Sequence, residues 1–114
     1  NVRDAERLSD VYTILSAIHQ YASDNESAFP EVIQEEEFEV CVTDASSCDG
    51  MYDLSVLTDN QTYLVAMPID PLCVTDETYC TENGTGYFIE KTQNGRITIS
   101  APLVEIRDDI TITR

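Results

Sequence analysis

Leu8, Val11, Leu15, Ile18 and Ala22 recur at three- and four-residue spacings, with Tyr12 and Tyr21 widening the row. That spacing lines one face of an α-helix, so the opening stretch NVRDAERLSDVYTILSAIHQYASDN folds as an amphipathic helix with an apolar stripe to bury. Ser23, Asp24 and Asn25 favour local side chain to backbone bonds, and Pro30 forbids continuation, which ends the helix near residue 24. Its beginning is different. No Ser, Thr or Asp stands just ahead of the first apolar position, and Asn1, Val2 and Arg3 read as the middle of a helix already under way.

A stripe of this kind needs a partner layer, and 114 residues suffice for one domain that buries about two-thirds of its unfolded surface. The sequence has no apolar run long enough to span a bilayer. Its 22 acidic and 6 basic residues give a formal net charge of -16, which repels phosphates and anionic headgroups and sets the domain against binding nucleic acid.

The cysteines speak to compartment. Six residues separate Cys41 from Cys48, and six separate Cys73 from Cys80, wider than the close ligand pairs of a zinc or redox centre. With one histidine in the chain a zinc site would consume all four thiolates. Disulfides are therefore expected, and with them an oxidising compartment outside the cytoplasm. Four cysteines allow three pairings; the two local ones, Cys41 with Cys48 and Cys73 with Cys80, are favoured, each worth about 2.5 kcal/mol by chain entropy. An exported domain with no export signal in view suggests that a segment precedes Asn1.

The acidic middle, residues 25–85, reads mainly as loop. Phe38, Val40 and Val42 suggest one short strand, Glu35, Glu36 and Glu37 a solvated surface, and Leu54, Leu57, Leu64 and Met67 core contacts along an irregular path. Residues 86–106 alternate apolar and polar positions about a turn, which makes them a β-hairpin. A two-residue Asn94-Gly95 loop would set apolar against polar residues on each face. A three-residue loop, Gln93-Asn94-Gly95, pairs Ile89 with Ile99 and Tyr87 with Ala101 and keeps the faces consistent, with Gly95 left-handed in a bulged turn. Tyr87, Ile89, Ile97, Ile99 and Ala101 then cover the helix stripe. The expected fold is α+β: a long N-terminal helix on a small antiparallel sheet, with disulfide-closed loops.

The helix ending in YASDNESAFP, the PIDP segment and the glycine-initiated hairpin GYFIEKTQNGRITISAPLVE, in that order, resemble the globular domain of type IV pilins and type II secretion pseudopilins. The resemblance covers most of the chain and carries no catalytic signature. It implies a pilin-like domain, residues 1–114, in which residues 1–24 are the C-terminal half of a longer helix whose missing apolar half would anchor the subunit in a membrane. It further implies a structural subunit of a cell-surface pilus or pseudopilus filament, with other pilin subunits and the inner-membrane assembly machinery as partners. Leu8, Val11, Leu15 and Ile18 would serve the domain's own sheet and, near Asn1, neighbouring subunits. The isolated domain is expected to be monomeric.

Some secretion pseudopilins bind calcium beside the terminal strands, and Asp70, Asp76, Glu77 and Glu82 crowd the corresponding region here, although no compact calcium loop is present. No other cofactor is expected. Asn25, Asn60 and Asn83 each open an N-glycosylation acceptor pattern in a loop. Catalysis is not expected: His19, near Ser16 and Ser23 in helical terms, has no oxyanion loop or activating partner around it. The reading from another class is a secreted adhesin or ligand-binding module, for which Tyr52, Tyr63 and Tyr79 would supply the aromatic contacts.

Overall fold

The computed structural model describes residues 2–75, 80–103, 105 and 110–114. Helix α1, Val2–Asp24, buries Val11, Ile14, Leu15, Ala17, Ile18 and Ala22. Leu8 and Tyr21 are partly buried against the same core. At the helix end the Ser27 N–H donates to the Ala22 carbonyl at 2.7 Å, and the Asn25 side chain donates to the Tyr21 carbonyl at 2.7 Å. Carbonyls of the last turn are thereby satisfied, with Glu26 and Ser27 in the left-handed region turning the chain away.

The stripe lies over a five-stranded sheet of spatial order β2-β1-β3-β4-β5. In chain order the strands are β1, Phe38–Cys41; β2, Met51–Tyr52; β3, Gly84–Lys91; β4, Ile97–Ser100; and β5, Thr111–Thr113. Strands β3 and β4 pair Ile89 with Ile99, the register of the three-residue loop. Gly95 sits at φ +80°, the conformation that this loop demands. Tyr87, Ile89, Ile97 and Ile99 are fully buried and Ala101 nearly so, forming one core with the helix stripe.

The sheet is larger than expected and is mixed. Strands β1 and β2 run parallel, Glu39 beside Met51 and Val40 beside Tyr52. Parallel neighbours ordinarily need a crossover of a dozen or more residues. Here the Cys41–Cys48 disulfide, a left-handed Asp44 and Gly50 at φ +73° fold the shorter connection back on itself. β5 pairs antiparallel with β4, Ile112 beside Ile99, and extends the sheet beyond the expected hairpin.

The acidic middle also carries helix α2, Ser55–Thr58, a 3-10 turn at Asp59–Gln61, and helix α3, Pro71–Thr75. Leu54, Leu57 and Met67 from this stretch are buried in the core, with Leu64 packed against it.

Candidate functional site

The stripe does not stop at Val11. Stepping back along α1, its phase falls on Arg7 and Asp4, and both are 0 % exposed. The Arg7 guanidinium grips Asp70 with two parallel bonds, Nε to Oδ2 at 2.7 Å and Nη2 to Oδ1 at 3.1 Å. Its Nη1 donates to Asp4 Oδ1 at 2.7 Å, and Nη2 also reaches Glu105 Oε1 at 3.2 Å. The Glu105 backbone N–H donates to Asp4 Oδ1 at 3.1 Å, and Arg3 pairs with the Glu105 carboxylate at 2.7 Å on the surface. A buried guanidinium is tolerated when its planar fork is met bidentately and its remaining donors are satisfied. Burial alone would lower the Arg7 pKa, but the bonds from Asp70 and Asp4 and the Asp70 charge raise it, so the group stays charged.

Asp70 is held from behind as well. Its N–H donates to the Thr85 carbonyl at 2.8 Å. Its Oδ1 accepts from the Leu72 N–H at 2.9 Å, and its carbonyl accepts from Cys73 N–H at 2.9 Å, making it the cap of α3. One turn further along α1, Asp10 Oδ2 accepts the Tyr87 hydroxyl at 2.6 Å. Burial raises the Asp10 pKa, the Tyr87 hydrogen bond pulls it back, and the Glu6 and Asp70 charges push it up. Burial, followed by the bond to Asp10 and its charge, raises the Tyr87 hydroxyl well above the ordinary tyrosine value.

This constellation neutralises and orients buried charge. It fastens the N-terminal turns of α1 to α3, to β3 through Tyr87 and to Glu105. The reading from sequence missed Asp4 and Arg7, although the periodicity pointed at them: positions 4, 7, 11, 14, 18 and 22 follow one another in three- and four-residue steps.

The expected site residues fall in separate places. Both local disulfides are present, Cys41 with Cys48 and Cys73 with Cys80. Asp70 is committed to Arg7 and to the α3 cap, Glu82 is exposed, and Asp76 and Glu77 lie outside the described residues. The one cluster of metal-ligand atoms found among the described residues is Cys41, Cys48 and Asp53, and its two sulfurs are joined to each other. Among the acceptor asparagines Asn25 and Asn60 are exposed and Asn83 half-buried. The Asn25 amide is bound to the Tyr21 carbonyl and the Asn83 amide to Ser46 at 3.2 Å. Thr85 of the third pattern is fully buried and donates to the Val40 carbonyl at 2.8 Å.

His19 is exposed and stands edge-on to Phe29, ring centroids 5.3 Å apart. Tyr52 is buried, its hydroxyl donating to the Glu36 carbonyl at 2.5 Å and accepting from the Gln34 N–H at 3.1 Å. Tyr63 donates to Asp24 at 2.8 Å and meets the Tyr21 ring, so both tyrosines hold the fold together. Tyr79 lies outside the described residues. No helix among the described residues is long and apolar enough to cross a membrane. Comparison with protein-family models, curated proteins and solved structures finds no match to this chain.

Proposed function

We propose that the chain is the globular domain of a structural subunit in an extracellular filament of the type IV pilus or pseudopilus kind. The observation that carries this reading is the fastening of α1: one 23-residue helix lies on the sheet, and its first turns are tied down by buried ion pairs as well as by apolar packing. A filament subunit that hangs from an N-terminal helix bears load where that helix joins the domain. Charge-assisted bonds with strict geometry resist sliding there in a way that apolar contacts do not.

The two local disulfides support the same reading, because covalent links brace a small domain independently of its core. Subunits of this kind associate head to tail, a contact that propagates without closing and so builds a filament. The domain supplies the outer shell, and its charge of -16 keeps that shell soluble.

The residues encoded ahead of Asn1 test the proposal. An apolar segment of about 25 residues running unbroken into α1, behind a short basic leader, is the expected result. A cleaved secretory signal peptide directly before Asn1 would remove the anchor, and the filament role with it.

A further inference from the structure

The spacing of Cys73 and Cys80 predicts a bridge that closes an acidic loop and leaves the helix-sheet contact alone. Instead Cys73 lies in α3, and α3 packs on α1. At five residues α3 is far too short to hold its shape by its own hydrogen bonds. Its first turn is organised by Asp70, which caps the Leu72 and Cys73 N–H groups while its carboxylate grips Arg7. Asp70 and the Cys73 sulfur also flank one residue that has no room for a side chain. Gly86 is at φ +85°, and a Cβ there would come within 2.8 Å of Asp70 Cβ and 3.1 Å of Cys73 Sγ. Sulfur and cap therefore fill the space beside the Gly86 backbone.

From this geometry we infer that the Cys73–Cys80 disulfide braces the Asp70–Arg7 clasp, so that its reduction frees the N-terminal turns of α1 while the rest of the domain stays folded. Opening the bridge removes the constraint on α3, and with it the fixed position of the Asp70 carboxylate. Arg7 then stands buried with its bidentate partner displaced, a state so unfavourable that the guanidinium moves out to water and carries the helix turn with it. Further along, Val11, Ile14, Leu15 and Ile18 remain in the apolar core and hold the remainder of α1.

A reductant can reach the bridge. An open groove of about 590 Å³ is lined by Val42, Ile69, Cys73, Cys80 and Glu82, and Cys80 is half-buried. The reaction is exchange with a small dithiol: its thiolate attacks one bridge sulfur, and its second thiol resolves the mixed disulfide. The dithiol closes to its own disulfide, and its two electrons and two protons leave Cys73 and Cys80 as thiols. The inference concerns the domain's internal mechanics and stands whether or not the chain forms filaments.

Hydrogen exchange read by mass spectrometry tests it on the whole chain. Replacing Cys73 and Cys80 together by Ser should speed exchange of the amides of residues 6–10 about tenfold or more, the worth of one or two charge-assisted hydrogen bonds. Residues 14–24 should stay protected, and the Cys41→Ser, Cys48→Ser pair should leave residues 6–10 unchanged. Uniform acceleration along α1, or none in residues 6–10, would overturn the inference. A second readout keeps both bridges and so does not depend on folding without one. Coupling is reciprocal, so Arg7→Met should make the Cys73–Cys80 bridge easier for the dithiol to reduce at equilibrium, by the same factor that its opening weakens the clasp. Equal reducibility in the Arg7→Met and parent proteins, measured by alkylation and peptide mapping, would contradict the brace.

Discussion

Arg7 brings a full positive charge to a position with no exposed surface, and Asp4 and Asp70 meet it there with none of theirs exposed. Such a pair is worth little against an apolar replacement but is costly to break halfway, because the surviving charges stay buried without a partner. Arg7→Ala is therefore expected to cost about 3–5 kcal/mol in urea unfolding. Arg7→Met, which fills the space, should cost less than Ala. Tyr87 adds a pH signature. Its pKa is raised in the fold, so the native state keeps a proton that the unfolded chain gives up near pH 10. Its contribution is complete below about pH 10 and declines above it by about 1.4 kcal/mol per pH unit. Tyr87→Phe should show a correspondingly shallower alkaline decline; equal slopes would mean that the hydroxyl is not held protonated. Asp10, also raised, acts with the same sign at lower pH: its contribution is present below the unfolded carboxylate pKa and is lost as pH rises through the higher folded value. Asp10→Asn keeps an acceptor for Tyr87 and removes the charge, so at neutral pH it should be near neutral, whereas Asp10→Ala should cost about 1–3 kcal/mol for the unpaired hydroxyl.

Among the elements, the β3–β4 hairpin turns on one left-handed residue. Gly95 has open space where a Cβ would go, so a substitution there meets only the left-handed backbone. Gly95→Ala should cost about 1–2 kcal/mol, and Gly95→Asn less, with unchanged register by NMR. This register was legible in the sequence, because only the three-residue loop keeps Tyr87, Ile89, Ile97, Ile99 and Ala101 on one face. The helix was legible for the same reason: its period and its Ser-Asp-Asn ending are local signals. The clasp was harder to see. Charged residues on a buried stripe look like its end, and Asp70 meets Arg7 from 63 positions away in sequence. Strand β2 has two residues, too few for any alternation, and owes its place to the connection folded by the Cys41–Cys48 bridge. For β5 the signal was present, since Ile110 and Ile112 alternate with polar neighbours and face the core, but the expected hairpin stopped before them.

At the scale of the whole molecule, charge and covalent bracing dominate. With a net charge of -16 the domain should not retard duplex DNA at physiological salt, and a salt-sensitive shift would contradict that. Reducing both disulfides should cost about 2–5 kcal/mol and lower the melting temperature while leaving most of the helical circular dichroism, because the apolar contact between α1 and the sheet does not include the bridges. The proposed filament role joins these properties: an acidic, covalently braced shell domain fastened to its helix by a buried ion pair. Immunogold microscopy of surface filaments sheared from the source cells tests that role most directly, with antibodies raised against this domain. Labelling along the filaments, lost when the chain's gene is deleted, is the predicted result; antigen recovered only as free monomer in the medium, with filaments unlabelled, would contradict it.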